Sequence, residues 1–294
     1  MTHPYLRSVG FSNYDDRKKI QELVQGVITH SDTRRLITRE DGVRTCVYMK
    51  AFATNAGIAV CGELDENETF LFDYYYPYLR SDDVSTAEDI SVEKLTTQEA
   101  YEGMVDEARG GVSLIFYVNN MVDYLRVGRM RKNPLHGASL ALSALAESGT
   151  IIMPIMKTGK ERDDIRKKAV DRYRLISAAK RGNESAIETL TLEDMDTYTS
   201  VTKKIKGSDI FTLVDSYFMP FGVECDHYSI LGEIVSCRRS ENGLTGEGLF
   251  VMKLLCNDLY FDVCVNEADV LGEPMVGRRF KGNIWMQGRI LFVE

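Results

Sequence analysis

GLFVMKLLCNDLYFDVCVNEADVL, residues 248–271, is the stretch that decides the fold of the C-terminal part of the chain. Apolar side chains recur at every second position in two runs, which predicts strands over Gly248–Cys256 and Leu259–Val265. The residues that follow predict a short helix over Asn266–Leu271. We therefore expect this part of the chain to be built from strands with one helix between them.

Three further strands are predicted around this stretch, over Tyr228–Cys237, Arg279–Trp285 and Gly288–Val293. The order of three strands, a helix and two strands resembles an oligonucleotide-binding (OB) barrel. The loop between the fourth and fifth strands would be only Met286-Gln287, which is shorter than the binding members of that fold use.

The N-terminal part combines a helix with a meander of strands. Apolar residues at helical spacing predict an amphipathic helix over Asp15–Ile28. Turn residues then separate four predicted strands, which are Arg34–Thr38, Val43–Ala53, Ile58–Gly62 and Phe70–Tyr76. The helix is expected to cover one face of this antiparallel sheet.

The chain after the meander is more mixed. We predict a helix over Gln98–Ala108 that stops at Gly110-Gly111, and strands over Val112–Val118 and Thr150–Pro154. The segment Ala138–Ala146 fits a strand or a helix, because its Ala and Leu residues suit both.

Residues 158–207 are polar and charged, and their spacing predicts a helical connector. The predicted fold class is α+β. It consists of an N-terminal antiparallel-sheet domain with helices over 1–157, the connector over 158–207, and a small five-stranded β-barrel of OB-like topology over 208–294.

Composition limits the class of protein. The 294-residue chain has a net charge of −8, which opposes phosphate backbones, so nucleic-acid binding is not expected. It has no apolar run of the roughly 20 residues that a membrane helix needs, and its first residues do not resemble a secretion signal. The six cysteines lie among apolar neighbours without a Cys-x-x-Cys pair. We expect a soluble cytoplasmic protein with free thiols.

The best candidate for metal or acid–base chemistry is Glu224-Cys225-Asp226-His227, with Cys237 or Cys256 as possible neighbours. Zinc sites usually have two closely spaced ligand pairs, which are absent here, so no metal is predicted. Acidic neighbours could raise the pKa of His227 or hold its tautomer, which would suit a hydrolase-like enzyme. An exposed histidine in a turn is the simpler interpretation.

Phosphate-binding loops and nucleophile motifs are absent from the sequence, so no catalytic residue, cofactor-binding residue or cofactor is assigned. The glycine-rich segment 242–248 is interpreted as a hairpin loop. The run Phe70–Tyr78 is unusually aromatic. On a strand, Phe70, Phe72, Tyr74 and Tyr76 share one face, which favours a core wall over an exposed stacking platform.

Two basic segments could contact anions or an acidic partner. Arg278-Arg279-Phe280-Lys281 near Trp285 would suit a single strand of nucleic acid if these side chains shared an exposed face. The surrounding segment 208–294 has 7 basic and 13 acidic side chains, which counts against that use. The second segment, with Arg126, Arg129, Arg131 and Lys132, is interpreted as a solvated loop.

Several strings resemble an uncharacterised bacterial family, a domain of unknown function from Gram-positive anaerobes, along the whole chain. They are Tyr5–Phe11, Phe70–Tyr78, Glu224-Cys225 with Tyr228, and Val276–Trp285. The resemblance implies a bacterial cytoplasmic setting and no known activity, substrate or site residue.

These observations leave the function unknown, with three hypotheses. The first is a non-catalytic binding or regulatory protein, because no catalytic motif is present. The alternatives are an enzyme with a site assembled around His227, which would need a deep pocket there, and a weak single-stranded nucleic-acid binder through the barrel. The partner is unknown, with a protein partner or self-association possible and no membrane expected.

Overall fold

The computed structural model describes residues 2–39, 41–95, 99–107, 112–154 and 214–293, with isolated positions between 171 and 189. Within these ranges it is a mixed α and β structure in which strands outnumber helices. Most of the predicted helical connector lies outside the described residues. No helix within the described ranges is long and apolar enough to cross a membrane.

The N-terminal elements follow the order that their sequence predicts. A 3-10 helix, Pro4–Val9, precedes helix α1, Arg17–Thr29, which begins after Asp16, whose side chain accepts a hydrogen bond from the Lys19 amide. Four consecutive strands then form an antiparallel sheet in chain order, which we call the meander sheet. They are β1 (Thr33–Thr38), β2 (Arg44–Ala53), β3 (Ala56–Leu64) and β4 (Phe70–Leu79). The predicted helix and meander are confirmed.

The remaining ten strands belong to a second, larger sheet, with β9 paired to one strand at its side. They are β5 (Ile90–Lys94), β6 (Tyr101–Glu107), β7 (Val112–Val118), β8 (Ser139–Ile152), β9 (Tyr217–Pro220), β10 (His227–Glu241), β11 (Gly248–Cys256), β12 (Leu259–Asn266), β13 (Val270–Leu271) and β14 (Arg279–Leu291). Helix α2, Met121–Met130, follows β7. A one-turn 3-10 helix, Glu267–Asp269, follows β12, near the predicted short helix.

Five of these strands close into a barrel in the order β8, β12, β11, β10, β14 and back to β8. Strand β8 runs parallel to β12, with Ser143 opposite Asp262, and antiparallel to β14 along its whole length. Phe280 of β14 packs onto Gly149 of β8, where a Cβ atom would lie only 2.1 Å from the ring. Only glycine at position 149 therefore leaves room for this closure.

The closed barrel is confirmed, but its fifth strand was predicted wrongly. Residues 279–291 form the single strand β14, because Met286 and Gln287 continue the strand and make no turn. The fifth strand is β8, from the first half of the chain. Its pairing crosses the boundary predicted at residue 157, and the division into three parts stays a prediction.

Three other local predictions were wrong or incomplete. Residues 101–107, predicted as part of a helix, form β6, in which buried Tyr101, Gly103 and Val105 alternate with less buried residues. The ambiguous segment Ala138–Ala146 and the predicted strand Thr150–Pro154 belong largely to β8. The basic run at 126–132 was predicted as a loop, but most of it lies in α2.

Buried polar side chains join the meander sheet to the barrel. Gln287 is fully buried; its Oε1 accepts a hydrogen bond from the Leu79 amide at 3.1 Å, and its Nε2 donates to the Pro77 carbonyl at 2.9 Å. Ser143, opposite Gln287 in the barrel, donates to the Leu79 carbonyl at 2.6 Å. The end of β4 is therefore held by hydrogen bonds from two adjacent barrel strands.

Candidate functional site

The structure brings three of the sequence-predicted candidates together at the start of β10. His227 lies opposite Trp285 of β14, and Asp226 lies between their side chains. His227 Nδ1 is 2.8 Å from Asp226 Oδ1, and Trp285 Nε1 donates to Asp226 Oδ2 at 2.6 Å. Asp226 is buried, whereas Glu224 and Cys225 are exposed. The carboxylate therefore fixes the orientation of both rings.

Tyr5 of the N-terminal 3-10 helix and His3, the N-cap residue before it, complete this cluster. The ring centroids of His3 and Trp285 are 5.0 Å apart, and those of Tyr5 and His227 are 5.5 Å apart. The pKa of His3 is lowered to about 4, mainly by burial and also by the nearby His227, while Asp226 partly opposes the shift. The His3 imidazole, which is partly buried, is therefore neutral near pH 7. The Tyr5 ring packs beside His227, and His227 lines neither of the two cavities described below.

The other sulfur candidates lie away from this cluster. Cys256 is buried and its thiol donates to the carbonyls of Tyr217 and Leu231. Cys237 is half-buried, and burial raises the pKa of its thiol. Within the described part of the chain, no group of three His, Cys, Asp or Glu side chains is arranged to hold a metal ion.

The proposed nucleic-acid surface on β14 is not formed. Arg279 is buried and donates to the carbonyls of Met153 and Val214. Trp285 is buried against Asp226. Because these two side chains are inside, Arg278, Arg279, Lys281 and Trp285 do not share an exposed face.

The aromatic strand β4 is divided by a bulge at Asp73. Tyr74 pairs with Cys61 and Phe72 pairs with the next residue, Gly62, so the side chains before and after the bulge face opposite sides. Phe72 is half exposed, whereas Tyr76 and Tyr78 are buried. The core-wall interpretation therefore holds for the second half of the strand only.

The buried half of β4 lines a cavity of about 80 Å³ between the meander sheet and the start of α2. Its charged and aromatic lining consists of Arg35, Arg80, Arg289, Asp123, Tyr76 and Tyr78. We call this the arginine cavity. Three guanidinium groups and one carboxylate face it, so its wall carries a net positive charge.

The ion pairs around the arginine cavity are partly exposed to solvent and shared. Arg35 lies 3.9 Å from Asp123, and Arg80 lies 3.1 Å from Asp82, which also pairs with Arg289. Asp82 is outside the cavity lining. Ion pairs that reach solvent contribute little to stability, about 0–1 kcal/mol when they are fully exposed, so another anion can compete with these carboxylates.

Two further features of the arginine cavity are suited to an anion. The first amides of α2 have no partner within the helix, and the Asn120 side chain bonds to the backbone of Ile290 instead of capping them. The Tyr78 hydroxyl lines the cavity and has no hydrogen-bond partner in the described ranges, although its residue is only 6% exposed. Both offer donors to an incoming negative group.

Comparison with known proteins gives a family and nothing more specific. A family model described as "Domain of unknown function, E. rectale Gene description (DUF3881)" matches residues 6–288. The chain belongs to the DUF3881 family. The resemblance to an uncharacterised bacterial family is confirmed, and so is the expectation that the function is unknown. No curated protein and no solved structure matches the chain.

Sequence reasoning missed most of what distinguishes this DUF3881 chain. Arg35, Arg80 and Arg289 come from β1, the residue after β4, and β14, and no local motif connects them. His3 also carried no local signal, because its contacts with Tyr75 and Trp285 join residues that are far apart in the sequence. The aromatic run of β4 was the one sequence signal that included cavity residues, namely Tyr76 and Tyr78.

Proposed function

We propose that this protein is a non-catalytic binding protein that holds a small anionic ligand in the arginine cavity. The observation that carries the proposal is the convergence of Arg35, Arg80 and Arg289 on one cavity. Arginine forms two parallel hydrogen bonds with a carboxylate or a phosphate, which makes it the preferred residue for such groups.

The cavity wall favours a compact ligand. A volume of about 80 Å³ accommodates a group of the size of phosphate or carboxylate. Tyr76 donates its hydroxyl proton to the Asn119 carbonyl at 3.2 Å, which leaves its ring as an apolar wall. The Tyr78 hydroxyl and the first amides of α2 then supply neutral donors beside the three guanidinium groups.

The scaffold of this proposal is an OB-like barrel in permuted chain order. Strands β10, β11 and β12 pair in succession, a short helix follows β12, and β14 pairs with β10. In this scheme β8 takes the place of the fifth strand, parallel to the third strand β12. A cytoplasmic setting belongs to the same proposal and is supported by six cysteines that are all free.

The enzyme hypothesis has one observation in its favour. The Asp226 carboxylate holds His227 through Nδ1, which is how a carboxylate orients a catalytic histidine. The binding proposal is preferred because three guanidinium groups and the Tyr78 hydroxyl line the arginine cavity, whereas His227 lines neither of the two cavities.

The test of the binding proposal uses the full chain. Native mass spectrometry compared with a denatured sample should reveal any retained anion, and calorimetric titration with inorganic phosphate, sulfate and citrate should show millimolar or tighter binding. Losing one charged hydrogen-bonded contact costs about 1.5–3 kcal/mol, so Arg35→Gln and Arg289→Gln should each weaken binding about tenfold or more.

The control for these variants is Arg17→Gln, on the exposed surface of α1 and away from the cavity. It should leave anion binding unchanged. The proposal is wrong if the folded wild-type protein retains no anion and binds none of the three probes, or if all three variants bind a probe equally.

A further inference from the structure

A second cavity, of about 330 Å³, lies on the barrel between strands β10–β12 and the residues that follow β4. Charged side chains of both signs line it. They are Asp82, Asp83, Arg238, Lys253 and Asp262. We call it the mixed-charge cavity, and it shares no lining residue with the arginine cavity.

Asp262 is the most buried carboxylate in this lining. It lies on β12 opposite Lys253 of β11, and Ser81 hydrogen-bonds to it. Burial raises the pKa of Asp262, and the nearby Lys253 partly opposes the shift. Asp262 forms no ion pair within the described ranges, because Lys253 pairs with Asp83. A partly desolvated carboxylate that is not in a direct ion pair attracts a further positive group.

Arg238 supplies the opposite charge on the neighbouring part of the wall. It is exposed on β10 and makes no hydrogen bond or ion pair with any residue that the structure describes. Its charge lowers the pKa of Asp262, so the two groups influence each other across the cavity without direct contact. Its neighbour Arg239 differs, because it pairs with Glu267 at 2.8 Å and does not line the cavity.

We propose that the mixed-charge cavity binds a small zwitterion, with its ammonium group at Asp262 and its carboxylate at Arg238. The unpaired carboxylate and the unpaired guanidinium face one cavity and are separated, which matches a ligand that carries both charges. The Lys253–Asp83 pair already places an ammonium group against a carboxylate of this wall. Three carboxylates in the lining disfavour a simple anion, and the described residues include no metal-binding group of three.

The test is titration of the full chain with β-alanine and 4-aminobutyrate, monitored by calorimetry or ligand-detected NMR. Butylammonium and butyrate are the single-charge controls. We expect the better zwitterion to bind at least about tenfold more tightly than either control, because it engages two charged groups at once. Asp262→Asn and Arg238→Gln should each remove most of this advantage.

Two matched variants make the result specific. Arg239→Gln removes the adjacent guanidinium and should leave zwitterion binding unchanged. Arg35→Gln affects only the arginine cavity and should also leave it unchanged, so this proposal and the anion-binding proposal fail separately. Arg238 is exposed, so its variant stays informative if Asp262→Asn unfolds. Equal binding of zwitterions and single-charge controls, or no effect of Arg238→Gln, would overturn the proposal.

Discussion

The meander sheet and the barrel are built from similar strands but are closed in different ways. Each strand of the meander sheet pairs with its neighbour in sequence, from β1 to β4. The barrel closes only when β8 pairs with β12 and β14, which follow much later in the chain. The local sequence pattern is therefore sufficient to predict the meander sheet. The barrel depends on a long-range pairing that no local pattern predicts.

The largest expected effect comes from the closing seam of the barrel. Phe280 is fully buried against Gly149, so Phe280→Ala should lower the free energy of unfolding by about 3–5 kcal/mol. Phe72 of the meander sheet is half exposed, and Phe72→Ala should change it by no more than about 0.5–1 kcal/mol. Urea unfolding followed by fluorescence of Trp285, the only tryptophan, measures both. Equal losses would show that the seam is not the critical contact.

The next effect lies at the junction between the two regions. Gln287→Leu removes the hydrogen-bond partners of the buried Leu79 amide and Pro77 carbonyl. This substitution should lower the free energy of unfolding by about 2–3 kcal/mol. Unfolding should be followed both by Trp285 fluorescence and by far-ultraviolet circular dichroism. Separate midpoints in the variant would mean that the regions unfold independently once the junction is weakened.

The control for the junction variant is Gln25→Leu, on the exposed face of α1. It should change the free energy of unfolding by no more than about 0.5 kcal/mol. A loss as large as that of Gln287→Leu would show that the cost comes from the substitution itself and not from the buried hydrogen bonds.

The smallest effect concerns pH and belongs to the barrel side. His3 has a pKa of about 4 in the folded state and an ordinary value of 6.5. Between these pH values the unfolded state binds the proton on His3 and the folded state does not. The free energy of unfolding is therefore highest above pH 6.5 and falls as the pH decreases toward 4. His3→Asn, which keeps a side-chain acceptor for the Tyr5 amide, should remove about 1–2 kcal/mol of the loss seen at pH 5. Parallel wild-type and variant pH curves would contradict this assignment.

The predictable and the unpredictable parts of this fold differ in the distance along the chain over which residues interact. Helix α1 and β1–β4 follow from spacing and turn residues that lie within a few positions of one another. The predicted helix at 98–108 was wrong because Gly103 and Val105 pack in β6 against β7, so tertiary contacts decided the structure.

The candidate sites show the same limit. The Asp226–His227 pair could be recognised in the sequence because its members are adjacent. Trp285 was singled out as part of a basic and aromatic segment, and its contact with Asp226 was not predicted. Arg35, Arg80 and Arg289 form a site only after β1, β4 and β14 are assembled. Asp262 and Arg238 line one cavity only after β10 and β12 are placed in the barrel. A single sequence does not display such groupings.

The position of β8 also has a consequence for synthesis on the ribosome. Residues 139–152 leave the ribosome well before residues 259–291, which are their pairing partners. The four strands of the meander sheet can pair as soon as they emerge, because all of their partners are already present. Strand β8 has to wait, without its barrel partners, until residues 259–291 have been translated. The barrel therefore closes later during synthesis than the meander sheet forms.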